Sequence, residues 1–498
     1  MQSVRAHYEF GLTFPKVKVP GFKFEWMVLV QVALSVLPAM GLVALGNPSA
    51  GAKWLFAVLL LLLTWCLLTK NRLGFVSLTV STIPVLVLLR GFFFYNAVNA
   101  LLALGIILWF FASPKEFSQS WRDIRLRCLL FFGGLYWFLS YVMTGEYFSN
   151  LRVLELVLTA ASIHLLAQHR GYLATALIGI AISVFAIGFA FLPSGGDRLG
   201  HDVIDGYTLG NPISFGIPLA LVFLLSIADS GKWLLLQNHP HWRLALGMTS
   251  GALLLLSTSR GSLAIVLVNV IVLLFIGKRQ RWMLLVSLAL LALITVALLQ
   301  TERGPSIVQF YERTFSPDRT LNQKTSGRAD QWSVFPRAFQ DSPVWGFGPG
   351  SGESVYAEYS LLVDSNLNFA GMKMAWHSLY LHIGVEAGLI GILALTLLLG
   401  LLTFHGLSHW RSFGESIPLL GVIGFLIIGL SVSGTDSPSG IFLGLGLLSV
   451  KRRVTPRFAW EHSGKDFTPQ AWARGKIRNY DIHPSALAAG ERYEQHKT

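Results

Sequence analysis

The stretch WMLLVSLALLALITVALLQ, residues 282–300, holds no charged residue; about 75 polar residues follow it, and a second apolar run opens at 378. A hydrocarbon core about 30 Å thick takes roughly 20 apolar residues per helix, so 282–300 reads as a membrane span. Working outward, comparable runs fall near 27–45, 54–69, 73–89, 92–112, 128–143, 153–168, 171–192, 210–229, 244–258, 262–277, 378–403, 417–433 and 438–450. With 282–300 they make about 14 candidates. Three short ones, 54–69, 244–258 and 438–450, set the range at about 11 to 14. Composition agrees: 53% of the 498 residues are hydrophobic and only 13% charged, too little charge to cover soluble domains of that size. The expected fold class is an all-α polytopic membrane protein with one large loop.

The placement of the net charge of +13 argues against nucleic acid, because most Lys and Arg stand in clusters between apolar runs. Lys70 with Arg72, Lys115 with Arg122, Arg125 and Arg127, Lys232 with Arg243, Lys278 with Arg279 and Arg281, and Lys451 to Arg453 share one side. The short loops opposite hold at most one basic residue each: Lys53, Arg90, Arg152, Arg198 and Arg260. By the positive-inside rule both termini are expected to be cytoplasmic. That puts a medium loop, 193–209, and the large loop, 301–377, outside. Residues 1–450 read as one membrane domain and 451–498 as a basic, flexible cytoplasmic tail. The first run follows about 25 residues that include Arg5, Lys16, Lys18 and Lys23, and is expected to be an uncleaved span. Cys66 and Cys128 read as small core residues rather than a disulfide or metal pair.

A loop as long as 301–377 is functional or disordered, and its aromatics and mixed charges argue for short helices. His377 stands where this loop enters the next span. An imidazole there, with an ordinary pKa near 6.5, accepts a proton at ambient pH; the bland alternative is a capping or interface histidine. Three arginines lie on the same side: Arg260 in Ser257-Thr258-Ser259-Arg260-Gly261, Arg328 in Thr325-Ser326-Gly327-Arg328-Ala329-Asp330, and Arg198 in Gly196-Asp197-Arg198-Leu199-Gly200. A guanidinium at membrane depth is costly and suits a diphosphate; pairing with a neighbouring Asp is the alternative for Arg198 and Arg328. The glycine-dense turn from Ser342 to Gly350 lets backbone amides approach a ligand, although a tight structural turn is the commoner reason for such a pattern. Asp197, His201, Asp202 and Asp205 are ligand types for Mg²⁺ or Mn²⁺, but the first outer loop, 46–53, holds no carboxylate, and a metal is not expected. Glu386, nine positions past His377 and about 13 Å away along a straight helix, reads as structural, and Glu155 as a local partner of Arg152.

His377-Ser378, nine residues, then Gly388-Leu389-Ile390-Gly391 resembles the histidine motif of the bacterial O-antigen ligase and polymerase superfamily. Gly210-Asn211-Pro212-Ile213, Ser259-Arg260-Gly261, Ser326-Gly327-Arg328 and the turn Pro343 to Gly350 agree in order, so the resemblance covers roughly 200–450. It implies a fold like the GT-C-like O-antigen ligases, in the bacterial inner membrane, with a site facing the periplasm. It implies a metal-independent, cofactor-free glycan transferase. The donor would be a glycan on undecaprenyl diphosphate, and the acceptor lipid A-core (ligase) or another lipid-linked glycan (polymerase). On that likeness His377 is the base, Arg260 and Arg328 hold the diphosphate, and Arg198 is a weaker fourth member. The tail, longer than a simple ligase requires, leaves ligase and polymerase both open with a lean to the first.

Two other classes compete. A transporter or flippase also needs many spans, but it places polar groups near the midplane, whereas most of these cluster at one face under a long loop. A scaffold in a polysaccharide-assembly complex would dock partners through the tail and tolerate loss of His377. The expectation that separates them is that Arg260, Arg328 and His377 meet in space.

Overall fold

The computed structural model describes residues 72–88, 94–145, 151–191, 202–204, 207–209, 212–277, 281–302, 304–325, 328–364, 367, 369–431 and 437–448. All of them belong to one compact unit, Met1–Ser449. The runs 27–45 and 54–69, Cys66, Arg198 and the tail lie outside the described residues, as do Asp197, His201 and Asp205.

In chain order the helices are α1 (Arg72–Ser81), α2 (Ile83–Leu88), α3 (Phe94–Ala112), α4 (Pro114–Trp121), α5 (Ile124–Thr144), α6 (Leu151–Ala167) and α7 (Arg170–Phe191). A short antiparallel hairpin, β1 (Asp202–Ile204) with β2 (Tyr207–Leu209), pairs Val203 with Thr208. Then follow α8 (Pro212–Ile227), α9 (Pro240–Ser257), α10 (Arg260–Ile276) and α11 (Arg281–Leu299). The large loop carries α12 (Gly304–Phe315), α13 (Leu321–Lys324), α14 (Arg328–Asp341) and α15 (Gly352–Val363). The chain returns through α16 (Leu379–Phe413), α17 (Ile417–Ser431) and α18 (Ser437–Gly446). Among the described residues, each apolar run from 73–89 onward thus lies mainly on helix.

Among the described residues four helices, α5, α7, α11 and α16, are long and apolar enough to cross a membrane, and α3 with α4 makes a fifth if that pair, bent by 100° ahead of Pro114, is one span. The chain is a polytopic helical membrane protein. In lipid, where one apolar surface gains little over another, helices associate through close packing. α18 shows how: a Cβ on Gly440 would stand 2.8 Å from Cβ of Thr159, and one on Gly444 2.6 Å from Cβ of Ile163, so this small-xxx-small pair lets α18 press against α6. Among the four long spans α7 is the most buried, with 67% of its apolar window inside, whereas α11 buries 11% and leaves its flank for lipid.

The large loop has a core of its own. Val334 and Ala338 of α14 meet Val355, Tyr356 and Tyr359 of α15, with Trp376 fully buried among them. The Trp376 ring stands edge-on to Phe335 and Tyr356, with centroids 6.2 and 5.5 Å away, and its Nε1 donates to the Gly352 carbonyl at 2.9 Å. The short helices expected in this loop are present, and they are locked to one another.

Candidate functional site

The loop meets the membrane helices at a break in α16. Gly388 takes φ 59 and ψ −154, a conformation essentially closed to residues with a side chain, and the helix changes course there. A break frees amides and carbonyls that lipid cannot satisfy. The turn from Pro343 to Gly348 satisfies them. Leu389 N donates to Pro343 O at 2.8 Å and Ile390 N to Val344 O at 3.3 Å, while Phe347 N donates to Val385 O at 2.8 Å and Gly348 N to Glu386 O at 3.0 Å. The contact leaves no room for side chains: a Cβ on Gly346 would lie 2.5 Å from the Glu386 carbonyl carbon, and one on Gly388 2.4 Å from Val344 O. The glycine-dense turn therefore serves the helix break, which answers the question its composition left open.

Glu386 secures the same junction from within. It is 1% exposed; Gly352 N donates to its Oε1 at 3.1 Å, Tyr136 Oη of α5 donates to its Oε2, and His382 Nε2 lies 3.3 Å from Oε2. The carboxylate joins α5, α15 and α16, residues 250 positions apart in the case of Tyr136.

Against this platform stand three of the residues singled out above. Arg260 is the first residue of α10. The turn before it is wedged in place: a Cβ on Gly261 would meet Ser431 Oγ at 2.7 Å, and one on Gly216 would meet Ser262 Oγ at 2.5 Å. Ser259 caps the helix, its side chain accepting from Ser262 N. The Arg260 guanidinium donates through Nη1 to Lys324 O and lies 5.3 Å from the Phe310 ring centroid. Arg328 is the first residue of α14 and reaches Thr325 O at 3.5 Å. Adjacent carbonyls, those of Lys324 and Thr325, thus receive the two arginines.

Asp330, the expected neutralising neighbour of Arg328, is engaged by Asn322 Nδ2 at 2.7 Å, and among the described residues Arg328 forms no ion pair with it. Among the described residues, Arg328 Nε is buried without a hydrogen-bond partner. Burial lowers the Arg328 pKa, and the Arg260 charge lowers it further. Burial likewise lowers that of His377, with the Arg328 charge adding to it. Arg260 thus bears on Arg328 and Arg328 on His377, an electrostatic series in which burial and the neighbouring charge both disfavour the charged imidazole. Both arginines also occupy helix N-termini, where the helix dipole adds to the positive potential.

His377 sits just ahead of Ser378, the N-cap of α16. Its backbone N–H donates to Gln331 Oε1 at 2.9 Å, and Gln331 Nε2 donates to Ala375 O at 3.1 Å. Sequence reasoning passed over Gln331. Its only signal was its place three residues past Arg328 on the same helix. Among the described residues, no group of three or more His, Cys, Asp or Glu has the geometry to hold a metal.

Residues 245–396 match the family model described as O-antigen ligase. The matched stretch runs from α9 through the large loop to beyond the break in α16, and Arg260, Arg328, Gln331, His377 and Gly388 all fall inside it. No curated protein matches the chain.

Proposed function

We propose that this chain, whose residues 245–396 match the O-antigen ligase family model, is a metal-independent inverting glycosyltransferase of the bacterial inner membrane. Its termini are cytoplasmic and its site faces the periplasm. The donor is a glycan on undecaprenyl diphosphate and the acceptor a sugar hydroxyl, as in an O-antigen ligase. His377 takes the proton of the acceptor hydroxyl as its oxygen attacks the anomeric carbon. The bond from that carbon to the diphosphate breaks with inversion, and undecaprenyl diphosphate leaves with the electron pair. Arg260 and Arg328 hold the diphosphate and stabilise its growing charge, and Arg198 adds a further contact.

The observation that carries this reading is the series Arg260, Arg328 and His377, with Arg328 Nε buried and unpartnered. Holding two like charges together costs free energy, and an anion between them offsets that cost. An imidazole whose pKa is lowered beside them is suited to act as the base, so the site offers a charge clamp and a proton acceptor, the two groups an inverting transfer needs.

The test is glycan profiling of a deletion strain complemented with wild type or His377→Ala at matched expression. Loss of product with long lipid-linked chains accumulating supports the ligase reading. Accumulation of single repeat units assigns the chain to polymerisation instead. A normal profile from the variant removes His377 as a base and favours a transporter or scaffold.

A further inference from the structure

We infer that Gln331 is a positioning residue that sets the His377 imidazole against the Arg328 guanidinium, an inference that rests on the reading of His377 as the base. Three observations carry it. Gln331 is 1% exposed, yet both ends of its amide are used on the segment that delivers His377: Oε1 accepts from His377 N, and Nε2 donates to Ala375 O. The two bonds straddle Trp376, which is itself pinned by burial and by its bond to Gly352 O. Finally, Gln331 lies three residues from Arg328 on α14, just under one turn or about 4.5 Å along the axis. One rigid turn of helix therefore carries the diphosphate ligand and the clamp on the base.

The chemistry selects glutamine. The clamp needs a donor and an acceptor on one planar group with a two-methylene reach. Glutamate keeps the acceptor but loses the donor to Ala375 O. Asparagine is one methylene short. Methionine matches the length and fills the space but makes neither bond. Trp376 supplies the packing that keeps the segment folded, so losing the clamp is expected to loosen the direction of the backbone at His377 rather than to unfold the loop.

The experiment uses the full chain in lipid nanodiscs. The donor is the lipid-linked glycan extracted from the deletion strain, and the acceptor is that strain's lipid A-core or the same lipid-linked glycan. Wild type, Gln331→Met, Gln331→Glu and His377→Ala are compared for kcat, KM for the donor, melting temperature and pH profile. Misplacement of a reacting group by about 1 Å costs on the order of 100-fold, so Gln331→Met is expected to lose about 10- to 100-fold in kcat with KM within about threefold. Its melting temperature is expected to stay within a few degrees of wild type. In Gln331→Glu the new carboxylate favours the imidazolium, and the acid limb of the profile is expected to move to higher pH. Gln331→Met with wild-type kcat, beside an inactive His377→Ala, overturns the positioning role and leaves the base intact. A loss that appears in KM or in melting temperature instead of kcat overturns it in favour of a structural role. Full activity of His377→Ala overturns both assignments.

Discussion

Replacing Gly388 with alanine tests whether the break in α16 organises the site. At φ 59 and ψ −154 a residue with a Cβ is strained by about 1–3 kcal/mol. The added methyl would also lie 2.4 Å from Val344 O and 2.7 Å from Gly346 N, contacts that only retreat of the turn can relieve. Retreat breaks the four backbone bonds between 343–348 and 385–390, worth about 1 kcal/mol each, so the bent form loses roughly 5–7 kcal/mol. Straightening α16 returns two intrahelical bonds and about 1 kcal/mol of alanine helix propensity, roughly 3 kcal/mol in all. The straightened helix carries no strain at 388 and is therefore the favoured outcome: against wild type it loses about 4 kcal/mol of bonds to the turn and regains about 3, so net stability falls by roughly 1 kcal/mol and the turn comes away from the helix. The expected result is a melting temperature lower by about 2 °C, fast hydrogen exchange at Phe347 and Gly348, and loss of glycan transfer. Unchanged melting with slow exchange at those two amides and a normal glycan profile would refute the reasoning.

Arg328→Gln removes the charge that helps depress His377, so the imidazole should titrate at higher pH than in wild type; NMR of labelled histidine in the ligand-free protein reads this directly, and a downward or absent shift contradicts the electrostatic series. Trp376→Phe keeps most of the packing but leaves Gly352 O without its donor, which should cost about 1–3 kcal/mol by thermal melting, against about 3–5 kcal/mol for Trp376→Ala. Glu415, just before α17, is raised by burial but lowered more by its bonds to His409 and Lys232, to a pKa of about 2. Its folded pKa lies below the ordinary 4.5, so its contribution to stability is complete above pH 4.5 and disappears as pH falls towards 2. Glu415→Gln should accordingly flatten melting temperature against pH across that interval, and parallel curves for the two proteins would count against the linkage.

The helices were legible because the property that makes a span, a long uncharged run, is local and needs no partner. The break in α16 was not, although Gly388 stood in plain view. Its meaning depends on a turn some 40 residues earlier, and backbone pairing between separated segments leaves no periodicity to read. Glu386 illustrates the same limit. Its distance from His377 along a straight helix made it read as structural, which it is, but its partners Tyr136, Gly352 and His382 could not be named. Arg260, Arg328 and His377 could be named because charge or a titratable ring beside a membrane segment is conspicuous. Gln331 could not, because a neutral amide in a polar loop is ordinary until its two bonds are seen. The neutralisation of Arg328 by Asp330, which the sequence also allowed, gives way to Asn322, whose side chain approaches Asp330 from an adjoining helix.

The way the turn completes α16 has a consequence for biogenesis. Ribosomal synthesis is directional, so residues 343–348 exist before Gly388 leaves the ribosome, and Tyr136 exists long before either. Each group that must bind the interrupted helix is on hand when that helix is made. The unpaired amides at the interruption need never face lipid alone. A circular permutant opened between the turn and α16, with the turn now synthesised last, would present the helix first and its partner afterwards, and insertion rather than final stability would be the step that suffers.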